Sequence, residues 1–170
     1  MNLIRRANST CAYILRTFST RNCTFLTRVF VAYVRPILEY ASQLWSPNTI
    51  DIINRLERVQ RLFTKRIRPL SHFSYDDRLN YLGLCRLETR RLYLDLMLLG
   101  KLKFNFMHLS LHDLTIKESA LHVNRFISLT SHSRNAFYFF TLRTIRLWNS
   151  LLPHTAKCVM LHIFVIYYTV

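Results

Sequence analysis

Asp51-Ile52-Ile53-Asn54-Arg55-Leu56-Glu57-Arg58-Val59-Gln60-Arg61-Leu62-Phe63-Thr64-Lys65-Arg66-Ile67-Arg68 sets the architecture. Ile52, Leu56, Val59, Phe63 and Ile67 recur at spacings of four, three, four and four, as one face of a helix requires. These five side chains are expected to face a core. Arg58, Arg61, Lys65 and Arg68, spaced three, four and three, fall on another face and form a cationic stripe. Glu57 precedes Arg61 by one turn, which predicts an exposed pair worth only about 0.3 to 0.5 kcal/mol. Asp51 suits the first turn, with Asn48 or Thr49 as the cap.

Upstream, Leu26, Phe30, Val34, Ile37, Leu38, Ala41 and Trp45 recur mostly three or four apart, again the pattern of a helix face. Pro36 lies within this run and either kinks the helix, at about 3 kcal/mol unless packing compensates, or divides it in two. Downstream, Ser74-x-x-Asp77 is a capping box and Gly83 a stop signal, predicting a short helix over 74–82. A longer helix is expected over 87–106, weakened or interrupted at Gly100. Residues 108–133 lack a clear period and read as a loop. A last helix is expected over 135–151, ending before Pro153. The predicted fold is mainly α: an irregular helical bundle over 1–105, a linker over 106–133, and a less ordered part over 134–170 with a helix and an apolar tail.

The formal charge is +15, from 24 Lys and Arg against 9 Asp and Glu, and 19 of the 24 cations are arginine. A positive potential of that size makes nucleic acid the default partner, with an anionic membrane surface second. The arginine bias favours phosphate, which the guanidinium fork can grip in bidentate fashion. At 51% hydrophobic, the chain also has ample material for a core.

Other function classes find little support. Cys11, Cys23, Cys85 and Cys158 are scattered without a C-x-x-C pair, and they read as reduced thiols of an intracellular protein, nuclear or cytoplasmic. His108 and His112 have helical ligand spacing, but no Glu follows His108, so no metal or cofactor is expected. The first residues lack a secretory apolar run. The apolar tail over 158–170 is shorter than the roughly 20 residues needed to span a bilayer and reads as a short buried strand or an aggregation-prone end.

Tyr33-Val34-Arg35-Pro36-Ile37-Leu38-Glu39-Tyr40-Ala41-Ser42-Gln43-Leu44-Trp45-Ser46-Pro47 and Arg58-Val59-Gln60-Arg61-Leu62-Phe63-Thr64-Lys65-Arg66-Ile67 are followed by Ser74-Tyr75-Asp76-Asp77-Arg78-Leu79, Leu82-Gly83-Leu84, Leu87-Glu88-Thr89-Arg90-Arg91 and Arg146-Leu147-Trp148-Asn149-Ser150-Leu151-Leu152-Pro153. In that order they resemble the region downstream of the catalytic palm in reverse transcriptases of non-LTR retrotransposons. The resemblance runs over most of residues 5–153. It implies a thumb and post-thumb segment that grips the template-primer duplex, RNA or DNA, through its phosphate backbone, with palm and fingers supplied from elsewhere. It departs from the family at the tail, where Phe164 is followed by Val165-Ile166-Tyr167-Tyr168 rather than by basic residues.

Tyr75-Asp76-Asp77 superficially matches the Tyr-x-Asp-Asp signature of such polymerases. Two-metal nucleotidyl transfer needs carboxylates converging from separate elements. Here the pair opens a helix, where the macrodipole favours acidic residues, and Asp51 is the only earlier aspartate. No catalytic residue is therefore expected. Candidate nucleic-acid contacts are Arg58, Arg61, Lys65 and Arg68, joined by Arg90, Arg91, Arg143 and Arg146 on neighbouring predicted helices. Trp45 and Trp148, each beside a helix terminus and before a proline, read as buried structural anchors. The competing readings are a helical membrane-associated or partner-binding protein, and the translated remnant of a retroelement.

Overall fold

The computed structural model describes residues 2–20, 22–104, 106–108, 116–119, 125–127 and 140–151. The chain is mainly α, and no sheet occurs among the described residues. It packs as two units, Met1–Arg91 and Leu92–Val170. The division falls within the helix Leu87–Lys103, whereas the sequence reading placed its first boundary at 105.

The first unit contains α1 (Asn2–Thr17), α2 (Cys23–Val29), α3 (Arg35–Glu39), α4 (Ser42–Trp45), α5 (Ile50–Lys65), α6 (Tyr75–Leu82) and the start of α7 (Leu87–Lys103). Its core joins Ala7, Cys11 and Ile14 of α1 to Leu26, Phe30, Val34 and Leu38 upstream of α4, and to Leu56, Val59 and Phe63 of α5. The Phe30 and Phe63 rings meet with centroids 4.8 Å apart. Four of the five apolar residues predicted to face the core from the 51–68 stretch are buried. Ile52 is instead 42% exposed, because it lies in the first turn of α5, where neighbouring elements do not cover it.

Pro36 neither simply kinks nor simply divides the 24–45 run. Between α2 and α3 the chain widens into a π turn, Phe30–Val34, in which the Arg35 amide donates to the Phe30 carbonyl five residues back. Pro36 has no amide proton, and its ring crowds the carbonyl four residues earlier, so the ladder must loosen there. One wide turn absorbs the mismatch. Val31, Ala32 and Tyr33 carry the wide turn's exposed side, while Phe30 and Val34 stay in the core.

The helix then stops at Tyr40, and Ala41 adopts a left-handed conformation with φ 50°. That geometry costs an L-residue with a Cβ roughly 1 to 2 kcal/mol. The Trp45 indole Nε1 donates to the Tyr40 carbonyl at 2.7 Å and closes the turn, with its half-buried ring packed against the core. Thr49 precedes α5 in extended conformation but makes no side-chain cap.

Ser74 caps α6 as its sequence predicts, accepting the Asp77 amide at 3.2 Å. Gly83 ends the helix with φ 63°. Downstream, α7 runs unbroken through Gly100, so the expected interruption there is absent. Leu99 and Leu102 are fully buried on either side of that glycine, and their packing outweighs its intrinsic penalty of about 1 kcal/mol.

The second unit holds the remainder of α7 and α8 (Phe140–Ser150), with a core of Leu96, Leu99, Leu102, Ile116, Phe126, Phe140, Ile145 and Trp148. Residues 118 and 126 form an antiparallel bridge. The predicted start of the last helix at 135 and the apolar tail over 158–170, with its expected strand, lie outside the described residues. Among the described residues, no helix is long and apolar enough to cross a membrane.

Candidate nucleic-acid interface

Arg58, Arg61 and Lys65 of the stripe stand clear on α5 because the opposite face of that helix is engaged. Leu56, Val59 and Phe63 enter the core, and beside them Glu57 and Gln60 are buried with 6% and 1% exposure. Glu57 does not reach toward Arg61. Its carboxylate accepts the Tyr75 hydroxyl and, at 2.9 Å, the Leu87 amide. Gln60 Nε2 lies 3.1 Å from the Tyr75 oxygen and donates to the Cys85 carbonyl at 3.0 Å. Burial, followed by the bond to Glu57, raises the Tyr75 phenol well above its usual value. The network fixes the rotation of α5 about its axis, so Arg58, Arg61 and Lys65 emerge into solvent. The helix stops at Lys65, short of the expected Arg68, which is exposed in the 3-10 turn Arg68–Leu70.

Among the described residues, none of these four cations lies within ion-pair distance of a carboxylate. Arg61 is oriented instead by the Tyr75 ring, its guanidinium carbon 4.8 Å from the centroid. A cation held over an aromatic face keeps its donors available at its edge.

The remaining sequence-predicted cations occupy different environments. Arg90 forks onto Glu39, with Nε and Nη2 each 3.1 Å from a carboxylate oxygen. Arg35 shares that carboxylate at 3.4 Å. Burial and the adjacent Arg90 hold the Arg35 guanidinium below its usual value, against the pull of Glu39. Two sequence blocks far apart in the chain thus meet in one Arg-Glu-Arg cluster. Arg91 is 2% exposed. In the second unit Arg143 Nε donates to the buried Asp95 carboxylate at 2.7 Å, while Arg146 is exposed.

The Tyr75-Asp76-Asp77-Arg78 block is engaged in holding helices together. Asp76 pairs with Arg86 at 2.7 Å and Asp77 closes the cap with Ser74. Arg78 is buried, donating to Thr64 Oγ1 at 3.2 Å and to the Phe73 carbonyl at 2.6 Å. No cluster of His, Cys, Asp and Glu able to hold a metal ion occurs among the described residues.

In the second unit, Trp148 is 2% exposed and meets Phe126 edge to face, with centroids 5.9 Å apart. The neighbouring Asn149 acts as a substitute strand partner. Its amide accepts the Phe126 N–H at 3.0 Å and donates to the Phe126 carbonyl at 2.8 Å. Sequence reasoning missed this role, as it missed the burial of Glu57. It also passed over Arg55 and Arg66, which with Arg58 and Leu62 repeat at three, four and four residues and so line up along a second face of α5 and its C-cap, Arg66.

No family model matches the chain. Over 72 residues it is 32% identical to an uncharacterized protein of Caenorhabditis elegans, a stretch covering 41% of this chain and 36% of that protein. The match thus spans little more than a third of that relative's length. No solved structure matches at a significant level.

Proposed function

We propose that this chain is a nucleic-acid-gripping helical module, akin to the thumb and post-thumb region of a non-LTR retrotransposon reverse transcriptase. It holds RNA or DNA by the phosphate backbone in an intracellular setting and performs no catalysis of its own. The observation that carries the reading is the exposure, without carboxylate partners, of Arg58, Arg61 and Lys65 on a helix whose other face is locked, and of Arg68 in the turn that follows it. Cations that could have been neutralised internally are treated differently, since Arg90 and Arg143 each carry a carboxylate. Free guanidinium groups on a rigid helix suit phosphate contacts, which give affinity and register with little sequence information. Arg146, exposed on the second unit, is a further candidate contact.

The test is binding of a fluorescently labelled RNA–DNA duplex to the full chain, followed by anisotropy across a salt series. Four phosphate contacts predict a slope of log K against log salt of about −3.6. A flat response, or an unchanged slope after all four cations are replaced by alanine, overturns the reading.

A further inference from the structure

A groove of about 450 Å³ runs between α1 and α5, wholly within the first unit. Its floor is formed by Ile4 and Leu15 of α1 with Leu62 of α5, over the buried Val59 and with Asn8 beside them, and Leu62 is 42% exposed although it lies in the middle of its helix. Along one side stand Arg55, Arg58 and Arg66, and no carboxylate lines the groove. Asp51 touches this row only at its end, where it lies 3.7 Å from Arg55, the two side chains 77% and 46% exposed respectively. An apolar trench flanked by three guanidinium groups is matched by an occupant that is apolar on one face and anionic beside it.

We infer that the groove seats an acidic amphipathic segment of a partner protein. The segment lays a few aliphatic side chains on the floor and sets carboxylates against Arg55, Arg58 and Arg66, the arrangement of a helix in a groove. Charge complementarity supplies the choice of occupant. A nucleic-acid strand fits less well, because its apolar surfaces are base faces and need exposed aromatic platforms. The floor offers aliphatic side chains, and its one aromatic ring, Phe63, is 2% exposed. The groove shares only Arg58 with the phosphate-binding stripe, so the two sites can be separated experimentally.

The probe is a fluorescein-labelled synthetic peptide with leucines at helical spacing and glutamates at the flanking positions, titrated against the full chain. A control peptide carries lysine in place of each glutamate. The expected result is saturable binding of the acidic peptide, no binding of the basic one, and a loss of about tenfold or more in affinity in Ala12→Trp, which fills the groove, and in Arg66→Glu, which reverses its rim. RNA–DNA duplex binding should persist in Ala12→Trp. Circular dichroism checks that each variant folds, and Arg66→Glu, at an exposed position, carries the test if Ala12→Trp does not. Failure of the acidic peptide to bind, equal binding of the basic peptide, or unchanged affinity in a folded variant overturns the inference. So does a single-stranded oligonucleotide whose binding is lost in the same variants, which would assign the groove to nucleic acid.

Discussion

Glu57 Oε2 accepts the amide proton of Leu87 at 2.9 Å, so a side chain in the middle of α5 caps the first residue of α7 across thirty positions of sequence. The first amides of a helix lack intrahelical partners, and its positive end attracts a carboxylate. The same carboxylate accepts the Tyr75 hydroxyl, which ties α5, α6 and α7 at one point. Replacing Glu57 by alanine strands both donors in a buried site. We expect Glu57→Ala to lose about 2 to 3 kcal/mol in urea denaturation, and Glu57→Gln to lose less, because its carbonyl oxygen still accepts one bond.

The two kinds of arginine predict two kinds of variant. Arg61→Ala and Lys65→Ala should leave stability within about 0.5 kcal/mol of the parent and each lower the salt slope of duplex binding by about 0.9. Arg143→Ala should do the reverse, removing the guanidinium that holds the buried Asp95 carboxylate at 2.7 Å and destabilising the fold by about 1 to 3 kcal/mol. Arg90→Ala should cost less, since Glu39 keeps Arg35 at 3.4 Å. Thermal unfolding and salt titration of each purified variant check the division.

Two left-handed residues predict substitutions of opposite sign. At Gly83, φ 63°, an added Cβ meets nothing within 4 Å, so Gly83→Ala should cost about 1 kcal/mol through backbone conformation alone. At Ala41, φ 50°, glycine removes the Cβ penalty, and Ala41→Gly should be neutral or stabilising by up to about 1 kcal/mol. Chemical denaturation of the two variants side by side reads the difference.

Burial pushes the Cys11 thiol from 9.0 up to about 12, with Arg66 pulling weakly the other way. Between those values the unfolded chain gives up a proton that the folded chain keeps. The contribution is therefore intact below pH 9.0 and is lost as pH rises toward about 12. Cys11→Ala should flatten the alkaline fall in stability over that window. At neutral to mildly alkaline pH, iodoacetamide should label the exposed Cys85 and spare Cys11, as peptide mapping by mass spectrometry would show.

The legible parts of the fold were those written in neighbouring residues. Leu56, Val59, Phe63 and Ile67 announce their buried face by spacing, Ser74 and Gly83 bracket α6 by cap chemistry, and the stripe of Arg58, Arg61, Lys65 and Arg68 follows from the same period. Glu57 shows where that reasoning stops. The cation one helical turn ahead of it is Arg61, yet its partners come from residues 75 and 87, because packing α6 and α7 against α5 buries the carboxylate beside two donors. Arg90 and Arg61 are equally basic on paper, and only the arrival of Glu39 separates them.

Sequence by itself determined that the chain is helical, where several helices begin and end, and that one face of α5 is cationic, since these depend on period, caps and charge within a few turns. Tertiary structure alone decided which charges stay available. It spent Arg90 and Arg143 on Glu39 and Asp95, widened the helix before Pro36 into a π turn, and left an arginine-edged groove between α1 and α5. The physical reason is that an ion's effective charge depends on what is packed beside it and on its access to water. Those are properties of elements brought together from distant parts of the chain, and no local pattern specifies them.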